Sequence, residues 1–370
     1  MRLTRALIDL KSLRDNFEGI RKKIGPTVKV MGIVKANAYG HGIVEVSQAL
    51  VGFGVDYLGV GFLEEGIELR RNGVGVPILV LGGVLGSHVH EFFEHDLEIT
   101  VSSLEIAGHI NQAAISLGKK ATVHLKIDTG MERIGVRSEH APAFIEAVSR
   151  LNHLNVVGLF SHFATSGERD RVFADEQVSR FNDVIEKIGS MGIEIPLTHM
   201  ANSGAVLDLP EAYFSMVRPG MLLYGAYPTR ETTESVPVSP VMQLKSNIVF
   251  IKEVPAARSI SYGREYFTKD RTIIGTIPVG YGDGYGRRLT HKAEVLVHGR
   301  RFPIVGTICM DQIMVDLGLN SEIHVGDEVT LLGTDGNENI SVWDLADGIS
   351  TIPYEVFTGI AARVPRVYIS

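Results

Sequence analysis

Cysteine is almost missing from this chain of 370 residues: Cys309 is the only one, so no disulfide can form within it. That fits a reducing compartment. No stretch approaches the ~20 consecutive apolar residues that a membrane-spanning helix needs. Residues 1–10, MRLTRALIDL, have neither a long apolar core nor a small-residue cleavage site, so no signal peptide is read there. The expectation is a cytoplasmic protein without a membrane partner. Basic residues are not in excess either. The net charge is -7 and no basic stripe occurs, which argues against nucleic acid and against anionic lipid. No GxGxxG follows the first strand signal, which weighs against a dinucleotide fold. His95, His109, His140, His153 and His291 form no metal-ligand spacing, and no metal is expected. Internal repeats and low-complexity tracts are absent from the sequence.

What is present is an ordinary globular composition, 45% hydrophobic and 21% charged, in a chain long enough for two domains. The first part alternates strand and helix signals. Strand-like runs occur at 6–10, 30–34, 57–61, 77–83, 121–128, 156–163, 197–204 and 214–220. Helical spacing separates several of them, as at 11–24, 43–50, 64–73, 142–151 and 173–188. Repeated strand–helix order implies parallel βαβ units, and about eight of them imply an α/β fold, a (β/α)8 barrel. A doubly wound open sheet is the competing layout. The polar, proline-bearing segment PTRETTESVPVSP at 228–240 reads as a linker. Beyond it come short β-like runs separated by glycine, proline and aspartate turns, with no long helical pattern. The expected division is therefore a barrel over 1–232 and an all-β or mainly β domain over 233–370.

The segment VMGIVKANAYGHG, 30–42, places Lys35 just past a buried strand. Desolvation lowers the proton affinity of such an amine. Lys35 then either forms a Schiff base or acts as a base; alternatively it is a structural lysine with a partner carboxylate. Other polar residues also fall at strand exits: Tyr39, Arg133, His162, Asn202 with Ser203, and Arg218 with Gly220. Barrel active sites lie at that end, with a phosphate site in the last two loops. Small residues in ANSG and RPGM let backbone N–H groups reach phosphate oxygens. An amine and a phosphate cradle on one face suit pyridoxal 5'-phosphate. Taken singly, His162 also reads as a core histidine, Arg218 as a turn arginine, Asp128 as a turn cap, and Cys309 and Met310 as packing. GYGDGYG at 280–286 reads as turn chemistry.

These strings together resemble one family. VKANAYGHG (34–42), LKIDTGMERIG (125–135), SHFATS (161–166), HMANSGA (199–205), VRPGMLLYG (217–225), SYGREY (261–266), GYGDGYGRR (280–288), CMDQIMVD (309–316), YEV (354–356) and RVPRVY (363–368) occur in order. The chain is similar, nearly end to end, to the bacterial alanine racemases. The resemblance implies a homodimer with shared active sites that interconverts L- and D-alanine and supplies D-alanine for peptidoglycan. It implies that Lys35 carries the cofactor imine and that Tyr39, Ser203, Gly220, Met221 and Tyr354 hold the phosphate. Arg218 would face the pyridine nitrogen, Asn202 and His162 would flank the cofactor, and Arg133 would meet the substrate carboxylate. Tyr262 and Met310 would reach in from the partner subunit. The racemisation would use two bases, Lys35 and Tyr262, on opposite faces. Lys126 would be carbamylated and pair with Arg133. A racemase of broader range or a barrel-type decarboxylase is the alternative among enzymes. Decarboxylases place an acid against the pyridine nitrogen, where this chain has Arg218. A non-catalytic cofactor-binding protein would lack residues 240–370.

Overall fold

The structure is a computed structural model that describes residues 2–319 and 322–370. It divides into two units. One consists of Arg14–Ala38 and Ile43–Val238; the other contains the start of the chain up to Leu13, Tyr39–Gly42, and the chain from Ser239 onward. The change of unit at Val238 falls inside the proline-bearing linker.

The first strand, β1 (Arg5–Asp9), does not join the barrel. The next strands are β2 (Lys29–Ile33), β3 (Tyr57–Val60), β4 (Ile78–Val80), β5 (Glu98–Val101), β6 (Ala121–Asp128), the short β7 (Val136–Arg137), β8 (Leu154–Phe160), β9 (Leu197–His199) and β10 (Met216–Val217). Eight of these run parallel in the order β2-β3-β4-β5-β6-β8-β9-β10, and pairing of β10 with β2 closes the ring. This is a closed (β/α)8 barrel, not an open sheet. The strands are short apolar runs buried on both faces; Val30, Met31, Leu58, Val60, Ile78 and Leu79 are all fully buried. That is the pattern expected of parallel strands covered by helices. Val172–Ser190 is the longest of the covering helices, with Phe181, Val184 and Ile188 buried.

β1 pairs antiparallel with β11 (Met242–Asn247) and parallel with β21 (Arg366–Ile369), both in the other unit. Its residues alternate, with Ala6 and Ile8 buried and Arg5, Leu7 and Asp9 half-buried. Alternation marks a strand with one wet face. The barrel place expected for 6–10 is taken by β5, which the sequence reading did not mark. The expected barrel range of 1–232 therefore differs from the observed unit at its start, at Tyr39–Gly42 and at its end.

The second unit is strand-rich, with a sheet running β12 (Phe250–Val254), β15 (Thr272–Ile277), β18 (Ile313–Asp316), β17 (Arg300–Val305), β16 (Glu294–Val297), β19 (Glu328–Asp335), β11, β1, β21. The hairpin β13 (Ser259–Ile260) and β14 (Tyr266–Phe267) stands apart, and β20 (Glu338–Ile340) pairs with β19. Two short helices, Val342–Ile349 and Pro353–Gly359, interrupt the strands, so the unit is mainly rather than wholly β. Ser341 caps the first by accepting from Asp344 N–H while Asp344 accepts from Ser341 N–H, a reciprocal cap.

Candidate active site

Lys35 leaves the end of β2 and enters a backbone conformation that L-residues avoid. Ala36, Asn37, Ala38 and Tyr39 all have φ between 51° and 55°. One left-handed residue costs roughly 1–2 kcal/mol, so a run of four is held only by its surroundings. The Glu65 carboxylate accepts from Ala36 N–H at 2.6 Å and from Gly61 N–H at 2.7 Å. Asn37 Oδ1 accepts from Ile43 N–H at 2.8 Å, and Val34 O accepts from Ala38 N–H at 2.7 Å. Strain of this kind concentrates at functional sites. Burial lowers the Lys35 pKa, helped by Arg133 and Arg218 and opposed by Glu65. By surface area Lys35 is exposed in the single chain. The two differ because solvent reaches part of the side chain while surrounding protein still desolvates the amine. Desolvation is the property that governs the amine.

Arg218, 4% exposed, follows β10 and is fixed on several sides. Its Nη1 donates to His199 Nδ1 at 2.9 Å. Its Nη2, with two hydrogens, is shared among Ser161 O at 2.7 Å, Met200 O at 3.0 Å and His162 Nδ1 at 3.1 Å. None of these bonds uses Nε. Arginine can only donate, so Nδ1 of His162 is an acceptor. Burial, then Arg218 and the other nearby cations, hold the His162 pKa well below its ordinary value. The imidazole is therefore neutral, with its proton on Nε2. Burial and Arg133 bring Arg218 itself down to about 9, which leaves it charged at neutral pH.

Next to Arg218, Ser203 opens the short helix Ser203–Asp208, and its hydroxyl accepts from Gly220 N–H at 2.9 Å and Leu222 N–H at 3.3 Å. Asn202 caps that helix, its Oδ1 accepting from Ala205 N–H at 3.1 Å and from Ser166 Oγ at 2.8 Å. A Cβ at Gly204 would lie 2.5 Å from Ser166 O, so only glycine lets these segments approach. Met221 is fully buried.

Charge separates this mouth from an ordinary barrel core. Arg133 and Arg218 act on both Lys35 and Lys126, Arg133 acts on Arg218, and the acids acting on the two lysines are Glu65 and Asp128. Glu65 is taken up by backbone N–H groups, and so is Asp128, which accepts from Gly130, Met131 and Glu132 N–H. Positive charge remains in excess. A phosphate and a carboxylate would offset it, and the lysine is suited to an aldehyde, so these residues fit pyridoxal phosphate.

Two family models cover almost the whole chain: "Alanine racemase, N-terminal domain" matches residues 8–228 and "Alanine racemase, C-terminal domain" matches 241–368. The chain belongs to the alanine racemase family. Among its relatives is alanine racemase 2 of Caldanaerobacter subterraneus subsp. tengcongensis, 46% identical over all of this chain and 95% of that protein. Similar solved structures include an alanine racemase of Clostridium difficile 630, with a TM-score of 0.95 at 40% identity, covering 100% of this chain and 96% of that one. Another is an alanine racemase of Bacillus anthracis with bound L-Ala-P, with a TM-score of 0.93 at 34% identity, covering 100% and 96%.

The remaining sequence-expected residues of the family pattern lie in the second unit. Tyr39 and Tyr354 pack with ring centroids 5.7 Å apart. Burial is the main cause that raises both phenols, Tyr354 to about 12, so they stay protonated donors. Tyr262 and Met310 are exposed, at 71% and 52%. The Tyr262 backbone is pinned, because Thr307 Oγ1 donates to Tyr262 O at 3.0 Å and Ser261 Oγ donates to Thr307 O at 2.5 Å. Ser261 and Arg264 beside it have φ of 66° and 52°. This is a constrained loop that presents a large aromatic ring to solvent.

Three polar residues of the barrel interior were not singled out as site residues: Glu98, His124 and His199. Gln177 was missed as well; it bonds Thr129 Oγ1, His162 O and Ala164 N–H, tying the loop after β6 to the loop after β8. It sits inside a regular helix, where spacing shows only a buried face. Among the described residues one group of ligand atoms, from Glu91, Glu94 and His95, lies within 4.8 Å. Both acids are exposed, and His95 Nδ1 is bonded to Glu91 O. No helix among the described residues is long and apolar enough to cross a membrane.

Proposed function

We propose that this protein is a cytoplasmic homodimer that interconverts L- and D-alanine with pyridoxal 5'-phosphate, supplying D-alanine for peptidoglycan. The observation that carries the reading is Lys35 and Arg218 in one cation-rich mouth, the lysine with weakened proton affinity and the arginine locked through its Nη groups. Bound there, the cofactor supplies an electron-withdrawing ring that makes the α-proton of an amino acid removable. Lys35 Nζ would hold the cofactor covalently and, when displaced by substrate, take or return the proton on one face. Ser203, Gly220 and Met221, with Tyr39 and Tyr354, would hold the phosphate. Arg133 would bind the substrate carboxylate by charge-assisted hydrogen bonds. Arg218 keeps its own protons and so would leave a ring nitrogen placed against it without one. That tempers the electron sink and favours proton return over side reactions. Tyr262 of the partner subunit would serve the opposite face, and Met310 of the partner subunit would close the pocket.

His162 supports the role of Tyr262. An unperturbed phenol titrates near ~10 and needs help to act as a base at neutral pH. The Nε2–H that Arg218 enforces on His162 is a donor that would stabilise a phenolate. The test is chiral chromatography after the protein, loaded with pyridoxal phosphate, is incubated with L-alanine, L-serine or L-lysine. D-alanine should form fastest. No D-alanine overturns the reading; faster D-serine or D-lysine marks a broader racemase, and loss of carbon dioxide marks a decarboxylase.

Carbamylation of Lys126 belongs to the same proposal. Lys126 is 4% exposed, with its amine 4.8 Å from the Phe160 ring centroid. Burial, then Arg218, lower its pKa well below the ordinary value, with Asp128 opposing. A neutral amine is the form that adds carbon dioxide; its nitrogen would bond the carbon, one N–H proton would leave to solvent, and the carbamate would bring negative charge toward Arg133. Depleting bicarbonate should lower turnover, and restoring it should recover turnover. Isotope-labelled bicarbonate should give a carbamate NMR signal that Lys126→Ala removes. Unchanged turnover without bicarbonate, together with no such signal, counts against it.

A further inference from the structure

A chain of hydrogen bonds crosses the barrel interior and ends on Arg218. At its outer end is Glu98, the first residue of β5, whose carboxylate meets His124 Nε2 at 2.7 Å. His124 Nδ1 meets His199 Nε2 at 3.0 Å, and His199 Nδ1 meets Arg218 Nη1 at 2.9 Å. Both histidines are fully buried. The Glu98 side chain is 13% exposed and lines a cavity of about 350 Å³ with Arg70, Lys119 and Lys120, so its carboxylate stays partly solvated.

Donor rules fix every proton along this path. Arginine only donates, so His199 Nδ1 must accept. A neutral His199 then carries its proton on Nε2 and donates it to His124 Nδ1. That leaves the His124 proton on Nε2, aimed at Glu98. Any other distribution fails. A proton on His124 Nδ1 would require His199 to accept at Nε2, and the His199 proton would then face the N–H of Arg218. Burial, then Arg218, favour the neutral form of His199 by holding its pKa well below the ordinary value. Packing fixes the rings as the hydrogen bonds do. Phe160 stacks on His199 with centroids 4.8 Å apart and planes at 3°. A Cβ at position 158 would lie 1.8 Å from His124 Nδ1, so Gly158 makes the space for that ring.

We propose that Glu98, His124 and His199 are positioning residues for the reaction. Glu98, an acceptor at the far end of the barrel, selects the one tautomer of both histidines that presents an acceptor to Arg218. The guanidinium is thereby held through Nη1 and Nη2, with Nε used by none of these bonds. No atom is transferred; the relay sets orientation and brings a counter-charge toward a buried cation that no carboxylate touches directly among the described residues. This rests on the proposed reading of Arg218 as the group facing the cofactor ring.

The test uses the full-length protein labelled with nitrogen-15 in its histidines, with and without pyridoxal phosphate. Nitrogen NMR reports the tautomer of each ring, assigned with a His199→Asn variant. The wild type should show His124 and His199 as single Nε2–H tautomers. In Glu98→Ala both should become mixtures. At metal sites the loss of an outer hydrogen-bond partner costs about 10–100-fold; the same order of loss is expected here in alanine turnover, with KM for alanine unchanged. Glu98→Gln keeps an acceptor oxygen, so it should restore the single tautomers and most of the turnover. A single Nε2–H form of His199 persisting in Glu98→Ala overturns the proposal. Equal loss of turnover in Glu98→Ala and Glu98→Gln does so too. If Glu98→Ala does not fold, Glu98→Met, which keeps the packing, replaces it under the same criteria. If the wild type makes no D-alanine, the racemase reading has failed, while the tautomers of the cofactor-free protein still decide the relay.

Discussion

Lys35→Ala should leave a folded protein with no measurable racemisation. General-base catalysis alone contributes about 10²–10⁴-fold, and here the same side chain would also anchor the cofactor, so the loss should reach at least the upper end of that range. The substitution should relieve the fold slightly, because it removes an amine whose charged form is penalised by burial and by Arg133. Activity and stability should thus move in opposite directions, as expected of a functional lysine and not of a structural one. Borohydride reduction of the loaded wild type, followed by peptide mass mapping, should place the pyridoxyl group on Lys35. A label on another lysine, or a Lys35→Ala protein that still binds the cofactor covalently, would reassign the anchor.

Tyr262→Phe should reduce racemisation in both directions by about 10²–10⁴-fold, the usual worth of a positioned proton-transfer group. The informative result is the asymmetry of what remains. Lys35 would still serve its own face, so α-hydrogen exchange with deuterated solvent should persist for D-alanine. For L-alanine, whose proton Tyr262 would take, exchange should nearly vanish. The fold should be unaffected, because the ring is 71% exposed in the single chain and its loop is held through backbone contacts to Thr307. The role proposed for Tyr262 also ties activity to assembly. Mixing Lys35→Ala with Tyr262→Phe protein should recover one complete site in each mixed dimer. Equal residual exchange from both enantiomers in Tyr262→Phe would reduce Tyr262 to a wall of the pocket.

Sequence reading and structure agree on a barrel of eight strands, yet the two sets of eight differ by one member. ALIDL at 6–10, which overlaps the observed strand RALID, was read into the barrel, and EITV was not marked. The burial pattern explains the first difference. RALID alternates, as suits a strand with one exposed face, whereas KVMGI, YLGV and ILV are continuous apolar runs. The second difference has its cause in Glu98. A four-residue strand that begins with a carboxylate looks like a loop until its histidine partner is known. The left-handed turn at 36–39 was equally hidden, since none of Ala36, Asn37, Ala38 and Tyr39 is a glycine. Its supports include Glu65, from a different strand exit.

The sequence by itself determined the fold class, the linker, the strand-exit position of Lys35 and the glycine-bearing segments around Ser203 and Gly220. All of these depend on neighbours within a few residues, where spacing and backbone chemistry act directly. The tertiary structure decided which sheet receives the first strand, how Lys35 comes to sit near Arg133 and Arg218, and which nitrogen of His162, His199 and His124 carries a proton. Those outcomes depend on contacts between residues 19 or more positions apart. A histidine in a sequence has two equivalent choices of tautomer; only the groups placed against it, here the guanidinium of Arg218 at one end and the carboxylate of Glu98 at the other, remove one of them.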